Sequence, residues 1–406
     1  MRVIVMSLVC LALPPPAAAQ PPQSIPFTFS AALERAMTAN PAIVAARSRR
    51  AVGTAGVAVA GERLNPEGRV EFDRDTPRQS YSVAVPLELG GKRTRRLAVA
   101  EAAVRTADAE IAQVIAETRN AVRRAYVERS VAEARLTLLE DLQMLMTRAR
   151  DAAQQRFDAG DAPRLEVLQA ELALAQTQNQ VTGARGSATA ARMQFNALLG
   201  MPFDAPTILA PEPILEPMTF EAAMERARAA SAELTLLDRR LDEQRARLAL
   251  AKALRTPDVT PEGSLTHGFE DISDFQFGWK AAVAVTMPLF TTHKAGVVLE
   301  ESTLVQLTAE RTAAEARIAG EVAAATAVAD AQRQQFLRYR DQIVPQAMQV
   351  ETMADDAYRL GQTGIAAYLQ ALQATRDVRL AALQAESELQ TALTDLERAI
   401  GAPLTP

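Results

Sequence analysis

The segment Phe27-Thr-Phe-Ser-Ala-Ala-Leu-Glu-Arg-Ala returns later as Met218-Thr-Phe-Glu-Ala-Ala-Met-Glu-Arg-Ala, an offset of 191 from Phe29 to Phe220. Val85-Pro86-Leu87 returns as Met287-Pro288-Leu289 at an offset of 202. Three more echoes follow at an offset of 201: Phe157-Asp158-Ala159-Gly160 with Tyr358-Arg359-Leu360-Gly361, Leu168-Gln169-Ala170 with Leu369-Gln370-Ala371, and Leu199-Gly200 with Ile400-Gly401. Order and spacing hold throughout, so the chain is a tandem duplication, and whatever it builds it builds twice. Residues 20–201 form the first unit, 202–217 a proline-rich linker and 218–406 the second.

Each unit reads helix, two strands, long helix, turn, helix. In the first, Ser30 is expected to cap a helix from Ala31, which Asn40-Pro41 interrupts before it resumes to about Arg63. A helical pattern then runs from Gly91 to about Phe157. At ~1.5 Å per residue this is a rod of about 100 Å, which no compact globular domain needs. The chain turns at Asp158 to Pro163, and a helix returns from Arg164 to Leu199, stopped by Gly200 and Pro202. That return helix is too short to match the rod alone; stacked end to end with the helix from Phe220 to about Arg255, it would match. The second unit repeats the plan, with a long helix from His293 to about Leu360, a turn at 361–364 and a return helix to Ile400.

The strands are expected at 69–73, 80–87, 263–269 and 275–289. In the last, Phe275, Phe277, Trp279, Ala281, Val283, Val285, Met287 and Leu289 share one face. Gln276, Gly278, Lys280, Ala282, Ala284 and Thr286 share the other. In the first unit Val70, Phe72, Tyr81, Val83, Val85 and Leu87 oppose Arg69, Glu71, Ser80, Ser82 and Ala84. Such alternation suits a soluble two-layer sheet or a membrane barrel with an apolar outside and a polar lumen.

Residues 1–19 read as a secretory signal: Arg2, an apolar run over 3–13, then Ala17-Ala18-Ala19. The single cysteine, Cys10, lies inside it, so no disulfide is expected after cleavage. Beyond it no apolar run approaches the ~18 residues of a membrane helix, so a membrane crossing would have to be a closed barrel. Four strands cannot close one. Two chains would give eight strands and a filled interior, three would give twelve and room for an aqueous pore, which favours a homotrimer. A net charge of −5 gives no reason to expect nucleic acid.

Over its mature length the chain resembles the TolC family of outer-membrane efflux factors. The resemblance is carried by the repeat, by the strand ends Val85-Pro86-Leu87 and Met287-Pro288-Leu289, and by the turns Phe157 to Gly160 and Tyr358 to Gly361. The closing Leu199-Gly200 and Ile400-Gly401 also carry it. Pro86-Leu87-Glu88-Leu89-Gly90-Gly91-Lys92-Arg93 further resembles the strand-to-helix segment of the heavy-metal branch. The resemblance implies an α+β membrane protein: a trimeric twelve-stranded outer-membrane β-barrel, four strands per chain, continued by a long periplasmic α-helical barrel. It implies a passive exit duct of a Gram-negative outer membrane, without cofactor or catalytic site, with heavy-metal cations as a candidate cargo. The partners it implies are a periplasmic adaptor, an inner-membrane pump, taken to be of the RND type, and outer-membrane lipid. Drug export or type I protein secretion fits the same architecture. A soluble periplasmic coiled-coil adaptor is the alternative from another class.

By that resemblance Phe157, Gly160, Asp161, Tyr358, Gly361 and Gln362 sit at the inner turns that meet the adaptor and form the entrance. Their plainer role is helix termination, with Gly160 and Gly361 supplying positive φ. Glu166 is the one acidic residue just past a turn, Ala367 and Gln370 standing at the matching places; it would ring the entrance with negative charge or lie on a solvated helix face. Phe275, Phe277 and Trp279 are expected in an aromatic girdle. Pro86, Gly90, Gly91 and Pro288 mark strand-to-helix junctions. Lys92, Arg93, Arg95 and Arg96 would meet anionic headgroups or serve as ordinary helix-surface charge. His267 and His293, without a mature cysteine, offer no metal cluster, and no catalytic motif is recognisable.

Overall fold

The computed structural model describes residues 27–74, 79–211, 216, 218–269 and 275–404, without the side chains of 268–269 and 275–277. The signal-like segment 1–19, residues 75–78 of the first hairpin turn and linker residues 212–215 and 217 lie outside the described residues.

The first unit runs α1 (Phe29–Ala39), α2 (Pro41–Gly61), β1 (Glu67–Phe72), β2 (Gln79–Ala84), α3 (Lys92–Asp158) and α4 (Arg164–Leu198). The second runs α5 (Phe220–Ala230), α6 (Ala232–Ala253), β3 (Asp258–Phe269), β4 (Phe275–Thr286), α7 (Lys294–Arg338), a π-helical turn (Tyr339–Ile343), α8 (Val344–Arg359) and α9 (Ile365–Ile400). The element order of the first unit is thus repeated.

Local chemistry explains the breaks. Thr28, rather than Ser30, caps α1, its Oγ1 accepting from the Ala31 N–H at 3.2 Å; Thr219 does the same for α5. Asn40 caps α2, accepting from the Ala42 N–H at 2.9 Å, while its Nδ2 donates to the Leu198 carbonyl at 2.9 Å. The helix expected to run unbroken from Phe220 is divided at Ser231, whose Oγ accepts from the Leu234 N–H. Ser231 stands 191 positions after Asn40, and a serine cap marks the break there without a proline. The expected continuous helix from His293 is also interrupted. Pro345 lacks an N–H and crowds the preceding turn, and the chain relieves this with a π-turn, in which the Val344 N–H donates to the Tyr339 carbonyl.

α3 is the spine. Its N-terminal half packs against α2 and α6, its C-terminal half against α4, so α6 and α4 together do line the rod, and α9 packs beside α3, α7 and α8. Each unit has its own core where its short first helix meets its long helix and its return helix. Ala32, Ala36, Val122, Tyr126, Phe195 and Leu199 form one; Ala223, Ala227, Val322, Leu396 and Ile400 belong to the other. Each of the large side chains buried there contributes about 1.5–3 kcal/mol. The return helices end where glycine is required: Gly200 has φ +63°, and a Cβ there would stand 2.6 Å from the Ala39 carbonyl oxygen. Gly401 meets Ala230 in the same way.

The strands form one antiparallel sheet in the order β1-β2-β3-β4. Their ends differ from expectation. β3 begins at Asp258: Pro261 forgoes the bond that an N–H there would give the Val85 carbonyl, but it stays in the sheet because its own carbonyl accepts from the Val85 N–H at 3.0 Å. β2 ends at Ala84 and β4 at Thr286, each just before its Pro-Leu pair. The remaining Val85 to Leu87 stay attached to β3 through the Leu87–Val259 bridge.

Candidate functional site

Side-chain direction across the sheet follows from pairing register. One row aligns Val70, Tyr81, Leu265 and Trp279; the adjacent row aligns Arg69, Ser82, Ser264 and Lys280, and two rows further on, on the same face, stand Glu67, Ala84, Glu262 and Ala282. Apolar and polar residues thus fall on opposite faces, as the alternation predicts. A soluble two-layer sheet would cover its apolar face. Here that face is open: Phe72 is 74% exposed, Val283 65% and Trp279 79%, and all of β1 is exposed on both faces. An apolar surface of this extent does not persist in water on a monomer. Trp279 sits on this face; the side chains of Phe275 and Phe277 lie outside the described residues. Among those residues no helix is long and apolar enough to cross a membrane, and no cluster of three or more His, Cys, Asp and Glu could hold a metal ion.

At the strand-to-helix junction the chain passes Pro86 and reaches α3 through Gly90 and Gly91, both at φ +70°. Gly91 is the N-cap of α3, and His293, 202 positions on, caps α7 with φ 53°. Pro288 holds the matching place before α7. Three of the four basic residues are committed inward. Lys92 Nζ bonds Asp258 Oδ2 at 2.7 Å, Arg96 pairs with Glu88 at 2.6 Å, and Arg93 and Arg96 donate to carbonyls of residues 60–62 at the end of α2. This is a C-terminal cap by cations, and it leaves only Arg95 for a headgroup role.

The inner turns are built alike. The Asp161 N–H donates to the Arg156 carbonyl at 2.8 Å and the Gln362 N–H to the Ala357 carbonyl at 2.9 Å, with Gly160 at φ +82° and Gly361 at +72°, a glycine-closed helix end. Between the turns lies a contact set drawn from four helices. Arg156 of α3 stands 3.8 Å from Glu166 of α4, and its guanidinium lies over the Tyr358 ring of α8 at 5.0 Å. Tyr358 stacks on Tyr368 of α9 at 5.0 Å, and Tyr368 donates to Asp355 at 2.9 Å. Burial, with Asp355 accepting from it, holds the Tyr368 hydroxyl protonated well above the usual phenol range. Burial also raises Tyr358. These tyrosines stay neutral across physiological pH.

Within the chain the Glu166 carboxylate is largely buried and stands beside the Arg156 cation. Phe157, Gly160, Asp161, Tyr358, Gly361 and Gln362 all lie at the turns, but only Tyr358 joins the contact set. Arg156, Asp355 and Tyr368 were not singled out by sequence. The usable signal was the ten-residue spacing of Arg156 and Glu166 across the turn, which returns both to one level of the hairpin.

Comparison with known proteins agrees with this architecture. The family model described as "Outer membrane efflux protein" matches residues 32–201. The cobalt-zinc-cadmium resistance protein CzcC of Cupriavidus metallidurans is 28% identical over 249 residues, which span 58% of this chain and 57% of that protein. Among solved structures, CusC superposes with a TM-score of 0.76 at 14% identity, covering 93% of each chain. The outer-membrane channel OprN gives 0.75 at 20% identity, covering 93% of this chain and 91% of its own. The fold is that of these channels, and residues 32–201 are similar to the outer membrane efflux protein family.

Proposed function

We propose that this chain, as a homotrimer, is the outer-membrane exit duct of a tripartite efflux system, passively conducting cargo handed on by a periplasmic adaptor and an inner-membrane pump of the RND type. The observation that carries the reading is the four-stranded sheet with an open apolar face, mounted on helices of about 100 Å. Three copies give twelve strands, enough for an aqueous lumen. Driving energy comes from the pump; the duct itself performs no catalysis. The similarity to CzcC makes divalent heavy-metal cations the cargo class to test first. The test is conductance of the purified protein in planar bilayers, together with restoration of metal tolerance in a strain deleted for the gene. No ion conductance and no restored tolerance would contradict the reading.

The contact set at the inner turns acts as a latch between the two hairpins, and the turns themselves meet the adaptor. Arg156→Ala removes both the Glu166 partner and the cation over Tyr358, and is expected to raise single-channel conductance several-fold while trimer mass is unchanged. Conductance equal to that of the parent protein would remove the latch. At Gly361 a side chain meets nothing within 4 Å, so Gly361→Val costs only about 1–2 kcal/mol of left-handed backbone strain. Trimers are expected to form and export to be lost. Normal export in that variant would take the turn out of the adaptor contact.

A further inference from the structure

β1 and β4 each leave one edge unpaired within the chain. We infer that the β4 edge of one chain pairs with the β1 edge of a second copy in one fixed register, with Thr286 opposite Glu71 and Leu289 opposite Gly68. The inference rests on the trimeric duct and adds the partner residues of its seam.

The duplication fixes this register. Helix starts repeat at an offset of 191 and the Pro-Leu strand ends at 202, both taken from residues outside the paired strands. Applying 191 to β1 and 202 to β2 carries the pair Glu67 and Ala84 to Asp258 and Thr286, and the pair Phe72 and Gln79 to Gly263 and Ala281. Both resulting pairs are partners in the second hairpin. The hairpins are therefore copies in register. The β2–β3 ladder joins the end of one copy to the start of the next, and the same join carried onward joins β4 to β1 of the neighbouring chain. Ala84 opposite Glu262 becomes Thr286 opposite Glu71, and Leu87 opposite Val259 becomes Leu289 opposite Gly68. The bonds from the Val85 N–H to the Pro261 carbonyl and from the Leu87 N–H to the Val259 carbonyl become bonds from Met287 to Val70 and from Leu289 to Gly68 of the second copy.

Two physical checks favour this register. Thr286 and Glu71 both belong to the polar face, so crossing the seam keeps Val70 and Phe72 on the same side as Trp279 and Val283; a slip of one residue would turn an apolar face into the lumen. Pro288 also falls between the two proposed donors, as Pro86 falls between Val85 and Leu87, so neither missing N–H lies in a ladder. Pairing of unlike edges, head to tail, generates a ring when the rotation closes and leaves no open edge in lipid.

The test is cysteine cross-linking of the full chain in a Cys10→Ala background. Leu87 and Val259 exchange both backbone bonds, so Ala84 with Glu262, three residues along, is a non-hydrogen-bonded pair. Its copy at the seam should bring Cα atoms to about 4.5 Å, within reach of a disulfide. Oxidised Thr286→Cys with Glu71→Cys is expected to run as a covalent trimer on a non-reducing gel. Thr286→Cys combined with Arg69→Cys or Asp73→Cys should give less than a tenth of that yield. Ala84→Cys with Glu262→Cys should close within one chain, reporting a folded sheet in the same background. A dominant product from the Arg69 or Asp73 combination overturns the register, as does no product from Thr286 and Glu71 in a sample whose native mass is three chains. A native mass other than three chains overturns the duct reading beneath it.

Discussion

Replacing Arg129 with leucine is expected to cost about 3–5 kcal/mol, the range for breaking a buried charged network by removing one partner. Arg129 is fully buried. Its Nη1 donates to Thr207 Oγ1 at 2.6 Å, its Nη2 to the Thr207 carbonyl, and its Nε to Glu133 at 2.8 Å, while the guanidinium lies over the Phe195 ring at 5.2 Å. Thr207 in turn donates to Asn196 Oδ1 at 3.1 Å, and Asn196 Nδ2 donates to the carbonyls of Phe203 and Ala205, each at 3.0 Å. One side chain thus ties the segment after Gly200 to both α3 and α4. Leucine would leave the Thr207 carbonyl and hydroxyl short of a donor in a closed site. Arg129→Lys keeps the charge but not the fork, and should recover only part of the loss. Denaturant or thermal unfolding in detergent reads the effect, and a loss below about 1 kcal/mol would contradict the assigned role.

Val283→Arg is expected to cost about 2–4 kcal/mol if the residue lies near the bilayer midplane, and to lower the yield of assembled protein in the outer membrane. Val283 stands opposite Pro261 on the apolar face. Ala282→Arg, one position along, points to the polar face and sits opposite Glu262, where a new cation has a ready partner. It should be the milder change by at least about 2 kcal/mol. Folding measurements into lipid vesicles decide the matter; equal penalties at 282 and 283 would mean that the faces are assigned wrongly.

These expectations depend on features that sequence exposes unequally. The faces of β1 to β4 were legible because a period of two survives in Tyr81-Ser82-Val83-Ala84 and in 279–285, where each residue has only one environment to satisfy. The duplication was legible because turn and cap positions tolerate few residue types. The break at Ser231 was not, since serine is compatible with a helix interior and acts as a cap only once the chain bends there. The π-turn before Pro345 was hidden by long helical runs on both sides, and the start of β3 by Pro261, which reads as a breaker until its carbonyl is seen in the ladder. The contact set at the inner turns was least legible: Arg156, Glu166, Tyr358, Tyr368 and Asp355 come from four helices and two units, and only packing of the hairpins brings them together. The pairing of the basic cluster after Gly91 was hidden for another reason: its charges are adjacent in sequence, but Asp258, Glu88 and the end of α2, which three of them meet, are brought there by the fold.

Whether three chains share one barrel is decided by the native mass of the mature protein extracted from outer membranes in detergent, with fractionation of the same cells. A detergent-requiring assembly of three chains in the outer-membrane fraction is the predicted result. A water-soluble monomer in the periplasmic fraction would contradict it, because an open apolar sheet with two unpaired edges would then have to be stable in water.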